Sequence, residues 1–453
     1  MGGDMLNAMK YISTVPFRGL FNWSVQYLND SKIAFSKAYP MMRIGDFLKR
    51  NKTAVAIEDD KTYKRATIKV RNGGIFLRDE EIGSKIGTKN QFLISKGQFL
   101  LSKIDARNGA FGVVPEVLDG GVITGNFWTF DVDYSIINPH YLALLTTTDA
   151  FIQFCEQASN GTTNRHYLQE HLFLNIKVPV PSLDEQNKLV KEYNKQISLA
   201  RNLGEKARQE ELDIHAYILS KLGVKLPNHK LSQKAKNREL ISFVNYKDVD
   251  RWDMWSKEQY IHSLLNQSIY KSVQLGALDF VGRSWKKDSE SFRYIEMSDV
   301  DPIFGIVNDT IICTKDAPSR ATQRVKTGDL IIGTTRPYLK RFAIVKSKHD
   351  NCICSSAFQV IKPNKNYNLE YIYYFLQTQL AIMQFEAFMT GALYPAINTS
   401  DLSRIKIILP PMSVQESIAR YANKKRIKIK QHILQSRIGH ADALKNFETQ
   451  IFE

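Results

Sequence analysis

Pro181-Ser182-Leu183-Asp184-Glu185-Gln186, followed by a proline-free run to Leu222, decides how this chain is built. Within the run, apolar residues recur at Leu189, Tyr193, Ile197, Ala200, Leu203, Ala207, Ile214 and Ile218. Steps of three, four or seven put them in one narrow stripe on a helix. Lys191, Glu192, Lys195, Arg201, Glu205, Lys206, Arg208, Gln209 and Glu210 fill the solvated remainder. So narrow a stripe predicts a two-stranded seam rather than a helix lying on a globular core. Ser182 three residues before Glu185 has capping-box spacing, and Gly223 with Pro227 marks the stop. At about 1.5 Å per residue the helix spans roughly 60 Å, the width of a domain or more.

A second stretch of the same design closes the chain. Ile405-Lys406-Ile407-Ile408-Leu409-Pro410-Pro411 leads into Gln415 and a helical pattern to Glu453, with Ile418, Ala422, Lys425, Ile429, Ile433, Leu444, Phe447 and Ile451 on its stripe. Pro410 stands 229 residues after Pro181. The same shift, within two residues, sets Gly161-Thr162-Thr163 on Gly391-Ala392-Leu393 and Ile123–Trp128 on Ile353–Phe358. It also sets Lys96–Leu101 on Thr327–Ile332, Phe111–Val114 on Phe342–Val345, Ile44-Gly45 on Leu275-Gly276, and Trp23 near Trp252. The chain is a tandem repeat of a globular part followed by a long helix.

The resulting expectation is an α+β protein. Residues 1–182 form a lead-in and first globular domain, 183–222 the first long helix, and 223–250 a basic crossing with Lys225, Lys230, Lys234, Lys236 and Arg238. Residues 251–412 form the second domain and 413–453 the second long helix. Strands such as Ala66–Val70, Phe99–Ile104 and Phe127–Val132 alternate with Gly/Asn turns. One helix is expected over Asn138–Phe154 and its counterpart over Leu369–Phe388.

With 453 residues the chain is too long for one core. A net charge of +16 and a pI near 9.4 favour a polyanionic partner. No run of eighteen apolar residues and no signal-peptide core occur, which predicts a soluble, unexported protein. Cys155, Cys313, Cys352 and Cys354 are too few and uneven for a disulfide framework, and fit a reducing cytoplasm.

Catalytic signatures are missing. There is no phosphate-cradling Gly-x-x-x-x-Gly-Lys-Ser/Thr loop and no Gly-x-Ser-x-Gly elbow. His166-Tyr167-Leu168-Gln169-Glu170-His171 is one residue too long for a metalloprotease helix, and no metal site is expected. Asp301-Pro302-Ile303-Phe304 departs at Ile303 from the Asp/Asn-Pro-Pro-Phe/Tyr loop of amino-methyltransferases and reads as a turn. The chain is expected to bind rather than catalyse.

Basic side chains on glycine-rich turns beside aromatics suit phosphates and base edges. Lys103, Arg107 and Asn108 supply one such turn in the first domain, and Asn164, Arg165 and His166 a second. In the second domain Arg336, Tyr338, Lys340 and Arg341 stand at the position equivalent to the first turn, with Arg320 and Arg324 just before. Arginine can bridge guanine and Asn164 could bridge adenine. A structural role for Arg107 and Arg336, packing each repeat against its helix, competes with base reading.

Gly161-Thr162-Thr163, Ile176–Val180 running into Pro181–Gln186, and their counterparts Gly391, Leu409-Pro410-Pro411 and Gln415 make the chain resemble the specificity subunit of type I restriction–modification systems. The second copy reads Met412-Ser413-Val414-Gln415, without an acidic residue before the glutamine. The resemblance implies two mixed target-recognition domains, each reading one half of a split DNA target, and long helices pairing as an antiparallel coiled coil that sets the spacing. It implies two methyltransferase subunits as partners and, through them, restriction subunits; S-adenosylmethionine, ATP and Mg would belong to those partners and none to this chain. Two unlike readers imply an asymmetric target. Remaining alternatives are a recognition subunit of another modification system, a stand-alone nuclease or base modifier, and a scaffold.

Overall fold

A computed structural model describes residues 39–70, 73–160, 167–227 and 255–452. The lead-in with Trp23, the loop 161–166 and the crossing 228–254 lie outside the described residues. The chain divides into two compact units, 1–200 with 437–453, and 201–436. Among the described residues no helix is long and apolar enough to cross a membrane.

In the first unit a four-stranded sheet runs in the order Leu48–Asn51, Phe127–Val132, Phe99–Ser102, Phe111–Val113. A five-stranded sheet takes Ala54–Ala56, Asn90–Ile94, Gly121–Ile123, Thr62–Lys69 and Gly74–Ile82. The second unit repeats the first sheet with the same strand order in Phe280–Val281, Phe358–Ile361, Leu330–Gly333 and Phe342–Ile344. Its other large sheet has four strands, Thr310–Cys313, Ser291–Ile295, Ile353–Ser355 and Ala321–Arg324. Strands aligned by the 229-residue shift therefore occupy equivalent places. Each unit centres on an aromatic-rich core, with Phe99, Phe130, Tyr141, Phe151 and Phe173 in the first and Phe342, Tyr371, Phe375 and Phe385 in the second.

The long helices are Leu183–Lys221 and Met412–Phe452. Ser182 Oγ accepts the Glu185 amide at 3.3 Å, half of the expected capping box. Gly223 adopts φ +75° and stops the first helix, the left-handed ending that costs glycine least. The helices pair antiparallel. In the first unit Gln196 meets Asn446 at 3.3 Å, and Tyr141 packs edge-on against Phe447. In the second, Tyr217 stacks on Tyr421, and Glu210 reaches both Lys425 at 3.7 Å and His432 at 3.3 Å. The predicted stripe is largely the buried one, with Leu189, Ile197, Ala200, Ala207, Ile214 and Ile218 all sequestered.

Two expected helices are each split in two. Asn138–Phe154 is Pro139–Leu145 followed by Asp149–Gln157, and Leu369–Phe388 is Leu369–Leu376 followed by Gln379–Phe388. A threonine causes each break by serving both sides. Thr148 Oγ donates to the Leu145 carbonyl and accepts the Phe151 amide, and Thr378 does the same with Phe375 and Ala381. Such a hydroxyl competes with helix continuation and caps the next helix.

Candidate nucleic-acid interface

Each long helix begins at a junction built the same way in both units. A short strand near the start of each domain pairs antiparallel with the strand leading into the helix: Met41–Arg43 with Lys177–Pro179, and Ser272–Gln274 with Lys406–Ile408. Gln186 is fully buried, accepting from the Asn138 amide at 2.7 Å and donating to the Pro181 carbonyl at 2.9 Å. Gln415 does the same with Asn368 at 2.9 Å and Pro410 at 2.7 Å. Tyr141 donates to the Pro179 carbonyl as Tyr371 does to that of Ile408. The missing acidic residue before Gln415 leaves this arrangement intact.

The first domain's basic turn leaves the strand Phe99–Ser102 and makes one 3-10 turn, Ala106–Asn108, closed by Gly109 at φ +73°. Lys103 lies over the Tyr167 ring at 5.4 Å, Arg107 is half-buried on the turn, and Asn108 is exposed with its amide 3.5 Å from Asp105. Asn164, Arg165 and His166 lie outside the described residues.

The equivalent turn in the second domain, Pro337–Leu339, is flanked by two left-handed non-glycine residues, Arg336 at φ +47° and Lys340 at φ +55°. Arg336 is committed to its own chain. Its amide donates to the Pro395 carbonyl at 2.7 Å, its guanidinium donates to the Leu393 carbonyl at 3.1 Å, and the guanidinium lies 5.0 Å from the centre of the Tyr394 ring. Arg341 donates to the Met297 carbonyl. Lys340 is half-buried; burial pushes its pKa down, only partly offset by Glu211. Tyr338 is exposed. Arg324 pairs with Asp288 at 2.7 Å, whereas the Arg320 side chain is exposed. The Ser355–Ala357 turn links the two groups: the Ser356 amide donates to the Arg320 carbonyl and the Thr334 amide to that of Ala357.

Behind the Arg336–Arg341 turn the second unit buries a charged cluster. Arg426 is 5% exposed; it bridges Glu211 at 2.7 Å, donates to Gln377 at 2.9 Å and faces the Tyr374 ring at 5.5 Å. Burial opposes the Arg426 charge, but Tyr373 and Glu211 outweigh it and hold the pKa above its ordinary value. Burial likewise opposes the Glu211 charge, and His215 and Arg426 reverse this, holding the carboxyl low. A cavity of about 910 Å³ opens beside the cluster, lined by Ala207, Glu211, His215, Leu219, Lys340 and neighbours.

Asp309, His349 and Cys352 bring three possible metal ligands together within 4.8 Å. Both Asp309 oxygens are already held by Arg293, and His349 Nδ1 sits 2.7 Å from one of them. Burial pushes the Cys352 thiol up to about 11. Asp309 is thus committed to the Arg293 ion pair, and the Cys352 thiol is held neutral. The four cysteines carry no disulfide.

The model of the "Type I restriction modification DNA specificity domain" family matches residues 37–207 and again 283–435, most of the chain. The chain belongs to this specificity family. Both family matches end within a long helix; the first takes in its whole junction, whereas the second begins after the junction strand Ser272–Gln274. Against the type I restriction enzyme HindI specificity subunit of Haemophilus influenzae, this specificity-family chain is 29% identical over 107 residues, 23% of either length. Among solved structures, it resembles a chain from a study of assembly and conformational transition of the type I R-M system, at 16% identity and TM-score 0.49, covering 92% of this chain and 99% of that one. It also resembles the HsdS subunit from Thermoanaerobacter tengcongensis at 15% identity and TM-score 0.38, covering 91% and 97%. The S subunit from M. genitalium gives 12% identity and TM-score 0.43 over the same shares.

Several residues that matter in this member of the family escaped the sequence reading. Arg426 sits one position from the predicted stripe and reads as another solvated cation. Leu393 entered only as the partner of Thr163 in the repeat, and Tyr394 beside it not at all. Two large apolar residues before a proline, flanked by Gly391 and Pro395, were the available signal.

Proposed function

We propose that this chain is the non-catalytic DNA-reading subunit of a type I restriction–modification complex. Each domain reads one half of a bipartite, asymmetric duplex target. The antiparallel helices set the separation of the halves and dock two methyltransferase subunits, through which restriction subunits join. Its DNA contacts come from the turns bearing Lys103, Arg107, Asn108, Asn164, Arg165 and His166 in one domain, and Arg320, Arg324, Arg336, Tyr338, Lys340 and Arg341 in the other. S-adenosylmethionine, ATP and Mg serve the partners, and the compartment is the cytoplasm, in keeping with unpaired cysteines.

The carrying observation is the duplicated junction. Gln186 and Gln415 share two bonds to equivalent residues, so two alike helix starts support unlike domains. That build supports the reading of two alike docking places for copies of one partner and two unlike readers. Leu212, Ile427 and Leu434 stay exposed on the helices of the second unit, apolar surface suited to a protein partner. The net charge of +16 suits the duplex. The test is mapping of modified sites in cells making the methyltransferase with and without this chain. One split motif with different halves is expected only with the chain. A palindromic motif, or an unchanged pattern, would overturn the reading.

A further inference from the structure

The least expected surface of the second domain is the loop Gly391–Pro395. It is pinned at its base, where Thr390 and Ala396 exchange both backbone bonds at 2.8 and 2.9 Å and the Ile397 amide donates to the Thr334 carbonyl. Gly391 turns the chain at φ +101°, where a Cβ would meet the Tyr394 carbonyl at 3.2 Å. Arg336 holds the loop from below through Pro395, Leu393 and the Tyr394 ring. Yet the tip shows Leu393 81% and Tyr394 73% exposed. Adjacent large apolar side chains fixed outward, on a chain of charge +16, describe a contact awaiting a partner with apolar faces and negative charge.

We infer that Leu393 and Tyr394 form an apolar tip that packs on base edges or an exposed base face in one half-site, and that Arg336 is a positioning residue for this tip rather than a base reader. Aromatic and aliphatic side chains meet nucleic acid in this way, against thymine methyls or between base steps. The inference rests on the split-target reading above. The 229- to 230-residue shift sets Asn164 opposite Leu393-Tyr394 in the sequence, so the repeats carry different residue types there.

The test uses the intact complex with its methyltransferase, the duplex motif mapped for the wild type, and competitors altered at each position of both halves. Tyr394→Ala is expected to weaken target binding roughly five- to 150-fold and to erase discrimination in one half only. Tyr394→Phe should retain both. Arg336→Lys, which keeps the charge but loses the planar fork, should resemble Tyr394→Ala in that half. Arg336→Ala should add little to Tyr394→Ala, and neither should change the salt dependence of binding, which counts phosphate contacts. Unchanged discrimination in Tyr394→Ala overturns the inference, as does equal weakening on all sequences. Loss of the methyltransferase from the complex would make the tip a protein contact and also overturn it. In each of these cases a split wild-type motif leaves the parent reading standing; absence of such a motif removes both.

Discussion

The two repeats agree at their junctions and part company in their outer sheets. At the junctions, glutamine side chains accept from asparagine backbone amides and tyrosine hydroxyls donate to strand carbonyls at equivalent places. Beyond them, one domain carries a five-stranded sheet with the long hairpin Thr62–Lys69/Gly74–Ile82, and the other a four-stranded sheet and the Arg336-braced loop. The buried amides answer backbone groups that must be paired in any domain seated on such a helix. The outer sheets face no such demand, so they are where the two domains can differ.

The most drastic way to probe this comparison is to leave both junctions alone and lengthen what joins them. Inserting one heptad into each long helix adds about 10 Å of helix while preserving the stripe. The gap in the mapped motif should grow with both half-sites unchanged; an unaltered gap would refute the spacing role. Next is the seam, whose two ends differ: Gln196–Asn446 in the first unit, buried charge in the second. Arg426→Ala leaves the half-buried Glu211 with His215 alone and strips Gln377 of a donor, and should cost about 1–3 kcal/mol, read as a lower denaturation midpoint. The same contrast predicts opposite responses to acid. Glu211 has a depressed pKa, so its contribution is full above the unfolded carboxylate value and is lost as pH falls through the folded one. Glu448 in the first unit is raised by burial, so its contribution is present in acid and lost as pH rises. Hydrogen exchange along the helices at falling pH should therefore loosen residues 205–220 before 440–450.

Comparable and then smaller effects test the likeness of the junctions. Gln415→Ala orphans an amide and a carbonyl, and Gln186→Ala an amide and two carbonyls, that of Ile136 being the extra one; each should cost about 2–3 kcal/mol, with Gln186→Ala the larger. A larger loss for Gln415→Ala in urea unfolding would show that the extra bond to Ile136 carries no energy. Ser182→Ala removes the cap of the first helix only, because Pro411 occupies that place in the second, and should cost about 1 kcal/mol.

Legibility in the sequence followed the range of the physics involved. The repeat, the helix ends at Ser182 and Gly223 and the buried stripe are set by local spacing and by residue types with one dominant use, and each was readable. The splits at Thr148 and Thr378 were not read, because a threonine inside an apolar run is ambiguous until the next turn shows whether it caps. Arg426 was unreadable for a different reason. Its burial is decided by Glu211 and Gln377, far away in the chain. The basic turns were found as positions, but Arg336, chosen as a reader, spends its guanidinium on Leu393 and Tyr394. Composition marks a cation; only the fold says what the cation holds.

The paired strands at each junction have one more consequence. Ser272–Gln274 lies alongside Lys406–Ile408, so the stretch between them starts and finishes at neighbouring points, just before the second long helix. Everything between those points is mechanically a pendant closed by a clasp. Its contents can lengthen, shrink or be exchanged, and the helix below still starts from the same footing.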